Sequence, residues 1–199
     1  MVRLQRLFEA ALLAWLTSVP PDRVGVTRQL QLGVTLKPSE SADEEEGGYV
    51  LDLSSPTAHK TAAAFGPVVT AVPAPAALLL SAWLSASGRA ARALAKPYVF
   101  APPGSADDAS APLAAPRWTE LVKRVFKKHA GVPLAPKELR SSCITWLRSE
   151  HNDDAVSKSA AHAMRHSEHM ARSAAYDKEK GTRLSKAAVD AIGAHAARF

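Results

Sequence analysis

Cysteine is nearly absent from this 199-residue chain, which contains only Cys143. A single cysteine forms no disulfide within its own chain, and it excludes a zinc site built from several cysteines. A lone thiol is typical of reducing compartments, so we expect an intracellular protein of the cytoplasm or the nucleus. Long apolar runs are missing too, because none reaches the ~18 residues of a membrane span. The first segment lacks a signal-peptide cleavage site, and we expect no membrane partner.

Aromatic residues make up only 6% of the chain, whereas hydrophobic residues make up 47%. Much of that hydrophobic fraction is alanine, which favours helix and leaves enough apolar side chains for one sizeable core. The net charge is +6 and the pI is about 9.6. This mild positive excess is compatible with a polyanionic partner such as nucleic acid, although many unrelated proteins share it.

The spacing of apolar residues predicts a mostly helical chain with a short β segment. A first helix is expected over 4–15, ended by two prolines, and a second over 22–32 with Asp22 as its cap. Residues 34–36, 49–53 and 66–72 predict three antiparallel strands. Further helices are expected over 74–94, 118–129, 136–149, 153–163, 168–174 and 184–197, and the buried face of the 74–94 helix is predicted to hold Leu78, Leu79, Trp83 and Leu84. The predicted fold class is mostly α with a small antiparallel three-stranded β-sheet (α+β), in a single domain over 1–199.

Three histidines, His162, His166 and His169, fall on one predicted helical face at steps of four and three residues. Imidazoles spaced in this way can bind zinc. The segment has no HExxH motif and no acidic residue placed to activate a water molecule, and Asp153 and Asp154 are weak candidates for further ligands. We therefore expect no metal here, and a solvated basic surface is the simpler interpretation.

The segment PKELRSSCITWL, residues 136–147, predicts a helix that begins at its proline. Lys137 and Arg140 lie three positions apart and are expected to share one face. The opposite, apolar face is predicted to contain Leu139, Cys143, Ile144 and Leu147. An arginine fixed at the start of a packed helix can present its guanidinium group to a phosphate. For this segment taken alone, a surface Lys–Arg pair without function is the alternative.

Four segments are informative when they are considered together and in their order along the chain. They are PPDRVGVTRQLQLGVTL, YVLDLSSPTAHKTAAAFGPVVTAV, KELRSSCITWL and AHAMRHSEHMARSAAY. The side chains of interest that they carry, in chain order, are Arg23, Lys60, Lys137, Arg140, His166 and Tyr176. Together these segments resemble the catalytic domain of the tyrosine recombinases, the phage-type integrases that are related to type IB topoisomerases. The resemblance extends over nearly the whole chain.

The resemblance implies a DNA strand transferase that cleaves and rejoins DNA by transesterification. A phosphodiester is a poor electrophile because its non-bridging oxygens are anionic. Arg23 and Arg140 would bind those oxygens and stabilise the additional charge of the transition state. His166 would donate a further hydrogen bond to the same phosphate.

The same resemblance implies that Tyr176 is the nucleophile and forms a covalent 3′-phosphotyrosine. Lys60, in the turn of the predicted hairpin, would protonate the leaving 5′ oxygen. Lys137 would add positive charge near the phenol or accept its proton. The chemistry requires no metal and no other cofactor, and the sequence has no glycine-rich loop that would bind a nucleotide phosphate.

The chain departs from the family pattern at several positions. Lys137 stands where the family usually has histidine, Val26 where glutamate is frequent, and Arg165 where glycine usually precedes the histidine. The distance from His166 to Tyr176 is one residue longer than usual. A catalytically degenerate DNA-binding remnant therefore remains the main alternative, ahead of a helical interaction protein with a histidine metal site.

The resemblance also concerns the partners and the extent of the chain. Double-stranded DNA is the expected partner, as in DNA integration and recombination by mobile elements. We expect self-association on DNA through the C-terminal helix of 184–197. The chain begins directly at the region of resemblance, so we expect the N-terminal DNA-clamping domain to be absent. Without that clamp, DNA affinity should be low and strongly dependent on salt.

Overall fold

The computed structural model describes residues 2–39, 48–55, 66–103, 110–150 and 153–164. In chain order these residues form α1 (Val2–Ser18), α2 (Val24–Arg28), β1 (Leu36–Pro38), β2 (Tyr49–Asp52), β3 (Val69–Ala71), α3 (Ala74–Ala86), a 3-10 helix (Ala90–Ala95), α4 (Ala115–Ala130), α5 (Pro136–Glu150) and α6 (Asp154–Ala163). The predicted α+β fold class is confirmed. Within these ranges, none of the helices combines the length and apolar character needed to cross a bilayer.

Helix α1 forms because its apolar residues recur every three or four positions and lie on one face. That face packs mainly along α3. Phe8, Leu12 and Trp15 are buried there, and the ring of Phe8 meets that of Trp83 edge-on with centroids 5.1 Å apart. The helix ends before Pro20, because a proline has no backbone N–H with which to continue the helical hydrogen bonding. The predicted first helix is thus confirmed.

The second helix is shorter than the prediction of 22–32. It covers only five residues, and its N-cap is Arg23 rather than Asp22. The chain then turns, because Gln31 forms a β-bridge with Tyr98 and cannot continue a helix. The guanidinium Nη1 of Arg28 donates to the carbonyl of Leu113 at 2.6 Å, which ties the end of α2 to the chain that leads into α4.

The small sheet is antiparallel and three-stranded, as predicted, and its strands lie in the order β1-β2-β3. Leu36 pairs with Leu51 in the central strand, and both side chains are buried. The first strand begins later than predicted because a turn precedes it, in which the N–H of Leu36 bonds the carbonyl of Gln31 at 2.9 Å. Residues 56–65, between β2 and β3, lie outside the described ranges.

The predicted long helix over 74–94 is two elements. Helix α3 ends at Ala86 because Gly88 adopts a left-handed backbone with a φ of 70°, and a 3-10 helix follows. The predicted buried face is also partly wrong, because Leu78 is 72% exposed. The buried residues of α3 are Ala76, Ala77, Leu80, Trp83 and Leu84.

Helices α4, α5 and α6 agree with the predicted segments within a few residues. Helix α4 buries an apolar stripe and ends at Gly131, whose φ of 75° suits glycine. Helices α5 and α6 meet in a second, smaller cluster of buried residues, formed by Ile144, Ala161 and Met164. The carboxylate of Asp153 caps α6 by accepting a hydrogen bond from the N–H of Ala155 at 2.7 Å. The predicted helices over 168–174 and 184–197 lie outside the described residues.

Candidate active site

Arg23 stands at the point where the chain leaves α1 and begins α2. Its backbone is extended, with φ −63° and ψ 147°, and its N–H donates to Asp22 Oδ1 at 2.5 Å. Its carbonyl accepts from the N–H of Val26 at 2.9 Å, which opens the helix. The side chain is half-buried, and its guanidinium makes no hydrogen bond or ion pair with any residue that the structure describes. Arg23 can therefore bind an anionic ligand without first breaking a protein contact.

The first turn of α5 holds the next two predicted residues in different environments. The carboxylate of Glu138 accepts from the N–H of Ala135 at 2.6 Å and satisfies one of the unpaired donors at the helix start. Lys137 is exposed. Arg140 is only 7% exposed, and its Nη2 donates to the carbonyl of Met164 at 3.1 Å. Lys137 is therefore in contact with solvent, whereas Arg140 is buried.

The prediction that Arg140 lies opposite an apolar face containing Ile144 is wrong. Residues four apart on a helix point in nearly the same direction, so Ile144 lies directly after Arg140 on one side. Both residues are buried there. Leu139 and Cys143 are half-buried on a neighbouring part of the helix. The guanidinium of Arg140 is therefore held beside apolar packing, where hydrogen bonds to charged groups are strengthened by reduced solvent screening.

The chain around Arg23 packs against the first half of α5. A small cavity is lined by Asp22 and Val24 on one side and by Pro136 and Leu139 on the other. These residues flank the positions of Arg23 and Lys137 in the chain. The hydrogen bond from Arg140 to Met164 adds the end of α6 to the same region. Three segments that the sequence singled out are therefore neighbours.

The remaining predicted site residues lie outside the described residues: Lys60, His166 and Tyr176. Met164, whose carbonyl accepts the hydrogen bond from Arg140, is two positions before His166 in the chain. The described strands β2 and β3 flank the segment that contains Lys60.

A second cleft, of about 380 Å³, lies beside β1 and the end of β2 and has a polar lining. Lys37 Nζ and Asp52 Oδ2 form an ion pair there at 2.5 Å, and the hydroxyl of Ser54 also bonds Asp52. The hydrogen bonds from Lys37 and Ser54 lower the pKa of Asp52 from 3.8 to about 2. Lys37 is therefore engaged by a carboxylate that stays ionised at neutral pH, and it is poorly placed to donate a proton to a leaving group.

The exposed face of α4 is strongly basic, a feature that the sequence reasoning did not single out. Its basic side chains are Arg117, Lys123, Arg124, Lys127 and Lys128. Lys123 forms an ion pair with Glu120, and Lys128 forms one with Glu9. Lys127 donates a hydrogen bond to the carbonyl of Gly131. Arg117 and Arg124 are exposed, lie two turns or about 10 Å apart along the axis, and form no ion pair with the described residues. The signal that identifies this face in the sequence is five basic residues on the polar side of one amphipathic helix.

The described residues give little support to metal or thiol chemistry. His162 is exposed near the end of α6, and the described part of the chain holds no cluster of three ligating side chains. His166 and His169 lie outside it. Cys143 lines an apolar cavity of about 420 Å³ together with Trp146 and Met164. Burial raises the pKa of its thiol, so the reactive thiolate form is disfavoured.

The chain matches no family model, no curated protein and no solved structure. The assignment of the site therefore depends on the residues and on their arrangement.

Proposed function

We propose that the protein is a site-specific DNA recombinase of the tyrosine type, which cleaves and rejoins strands through a 3′-phosphotyrosine at Tyr176. One observation carries the proposal. The buried guanidinium of Arg140 bonds the carbonyl of Met164, two residues before His166, while the segment of Arg23 packs against the start of the same helix. The segment of Arg23, the start of α5 and the end of α6 therefore lie in one region, and His166 follows two residues after Met164 in the chain.

The two arginines bind the target phosphate in this proposal. Each guanidinium group presents parallel N–H donors that match the geometry of two phosphate oxygens. Arg140 is held by its bond to Met164, so little side-chain freedom is lost when the phosphate binds. Arg23 makes no competing contact among the described residues. His166 donates a further hydrogen bond, and the developing negative charge of the transition state is spread over all three donors.

The covalent step exchanges one ester bond for another. The phenolic oxygen of Tyr176 attacks phosphorus, a bond to the phenol forms, and the bond to the 5′ oxygen breaks. Lys60 gives a proton to that leaving oxygen. The phenolic proton passes to a water molecule as the bond forms, and the exposed ammonium group of Lys137 stabilises the negative charge that develops on the phenolic oxygen. Rejoining is the reverse reaction with the 5′ hydroxyl of another strand. No metal or other cofactor takes part.

Double-stranded DNA is the proposed partner, and the basic face of α4 supports a polyanion. Self-association on DNA through 184–197 belongs to the same proposal. The apolar cavity beside Trp146 is the described surface that suits an apolar helix of a second copy. Sedimentation of the protein with duplex DNA tests this part, because Ile192→Asp is expected to reduce the mass of the complex. An unchanged mass contradicts it.

A suicide DNA substrate, which loses a short strand end after cleavage, tests the chemistry directly. We expect a covalent protein–DNA adduct with the wild-type chain and none with Tyr176→Phe. Tyr98→Phe is the matched control, because Tyr98 lies beside the polar cleft and should leave the adduct unchanged. An adduct that survives Tyr176→Phe refutes the assignment of the nucleophile.

Two rival functions predict different results. A catalytically degenerate remnant binds DNA but forms no adduct with any substrate, so binding without cleavage identifies it. A helical interaction protein with a histidine metal site contains near-stoichiometric zinc after purification. Elemental analysis separates this rival, because the proposed recombinase retains full activity in a chelator and contains no bound zinc.

A further inference from the structure

Trp118 presents a buried polar group that needs an explanation. Its side chain is 1% exposed, and its indole Nε1–H donates to no acceptor in the part of the chain that the structure describes. Burying such a donor without a partner costs about 1–3 kcal/mol. Trp83 provides the contrast, because its buried Nε1–H donates to the carbonyl of Val99 at 2.8 Å. Buried indole N–H groups in native proteins rarely lack a hydrogen-bond partner.

Trp118 lines a small cavity that it shares with two other buried polar residues. Asp22 is 7% exposed, Thr27 is 6% exposed, and both line the same cavity. The cavity measures about 10 Å³, which is close to the space that one water molecule needs. A carboxylate accepts several hydrogen bonds, and a hydroxyl both donates and accepts. The side chains that line the cavity therefore include one donor without a partner among the described residues and at least two acceptors.

We propose that one internal water molecule joins the indole N–H of Trp118 to the carboxylate of Asp22, and that these two residues position Arg23. The link continues through Asp22 Oδ1, which accepts from the N–H of Arg23 at 2.5 Å. Helix α4 is thereby connected to Arg23, the N-cap residue of α2. The positioning role rests on the proposed function of Arg23, whereas the water site does not.

The bridge has a consequence for the charge of the site. Asp22 is adjacent in sequence to Arg23, and a carboxylate that pairs with a guanidinium group competes with phosphate for it. Arg23 forms no ion pair with Asp22 or with any other described residue. The indole, through the water molecule, adds one hydrogen bond that keeps the carboxylate at the cavity and away from the guanidinium group. Trp118 thus acts on the phosphate only through its neighbours.

Solution NMR of protein labelled with 15N at the indole nitrogens tests the water site. We expect the Nε1–H resonance assigned by Trp118→Phe to show a cross-relaxation peak with a long-lived water molecule. The Nε1–H of Trp83 serves as the internal control and shows none. The peak is expected to disappear in Asp22→Ala and to persist in Asp22→Asn, which retains an acceptor oxygen. A Trp118 resonance with no water peak, or one that Asp22→Ala leaves unchanged, overturns the proposal.

Single-turnover cleavage of the suicide substrate tests the positioning role. We expect Trp118→Phe, which keeps the ring but removes the donor, to slow cleavage by about tenfold while the Kd for DNA changes less than about twofold. Trp83→Phe is the control, because it removes an indole donor that bonds Val99 away from this cavity, and it should cleave at the wild-type rate. A Trp118→Phe rate equal to wild type refutes the role. A wild-type chain that forms no adduct refutes the proposed function instead, and the NMR result decides the water site in either case.

Discussion

Replacing Glu9 by glutamine measures how much one buried carboxylate contributes to the packing of α1 on α4. Glu9 is 5% exposed and accepts hydrogen bonds from Lys128 at 2.7 Å, from His129 at 2.8 Å and from Gln5 at 3.0 Å. Burial raises the pKa of this carboxyl, but the three hydrogen bonds outweigh burial and hold its pKa at about 2, against an ordinary value of 4.5. Glu9 therefore stays ionised in the folded protein at pH values where the unfolded chain binds a proton.

The size of the effect follows from linkage between proton binding and folding. The gap between 4.5 and about 2 corresponds to about 3 kcal/mol of stability at neutral pH. The side chains of Lys128 and His129 are 53% and 39% exposed, so solvent screens their attraction, and we expect about 1–2 kcal/mol. Because the folded pKa lies below the unfolded one, this stability is complete above pH 4.5 and declines as the pH falls towards 2.

Urea unfolding followed by far-UV circular dichroism provides the assay. We expect Glu9→Gln to be less stable than wild type by about 1–2 kcal/mol near pH 7, with roughly half of that difference gone near pH 3. Glu120→Gln is the matched control, because Glu120 is 72% exposed and bonds only Lys123, at 3.1 Å. Its effect should stay below about 0.5 kcal/mol. A difference between Glu9→Gln and wild type that is the same at both pH values refutes the reasoning.

Three further predictions concern the proposed site and its support. Arg140→Lys should slow single-turnover cleavage by roughly 10²–10³, because lysine cannot present two parallel donors. Arg6→Lys, exposed on α1, should cleave normally, and equal rates for the two variants contradict the role of Arg140. The double variant Arg117→Gln/Arg124→Gln should lower the slope of log Kd against log salt concentration by about 2, because each arginine is expected to contact one DNA phosphate. Fluorescence anisotropy measures this slope, and an unchanged slope shows that α4 does not contact the DNA. Asp153→Ala should cost about 1 kcal/mol in urea unfolding, through loss of the cap of α6, whereas Asp153→Asn should cost little.

The sequence was sufficient to predict an element where the spacing of apolar and polar residues within that element is regular. Helix α4 alternates apolar and basic residues at helical spacing, and its bounds agree with the prediction within a few residues. Asp153 caps α6 as a short polar side chain should. The apolar character of α3 extends nearly all round the helix, so the pattern could not determine which face is buried. Ala76 and Ala77 are buried, and Leu78 is exposed, because the position of α1 decided the face.

The candidate site depends more heavily on tertiary contacts. The residue types and their order predicted Arg23, Lys137 and Arg140 as a set, but the sequence could not determine their environments. A three-residue step suggested that Lys137 and Arg140 share solvent access, whereas Arg140 is buried because α6 returns to α5 and offers the carbonyl of Met164. Nothing in the sequence linked Trp118 to that set, because its relation to Asp22 arises only where α4 meets the start of α2.

By itself, the sequence determined most of the helices, the three antiparallel strands and the residue types available for chemistry, because hydrophobic period, caps and turn residues act over a few neighbouring positions. Only the tertiary structure decided which arginine is buried, which face of α3 meets the core and which polar groups share a cavity. Those properties depend on distances between segments that lie far apart in the chain, and local preferences carry no information about them.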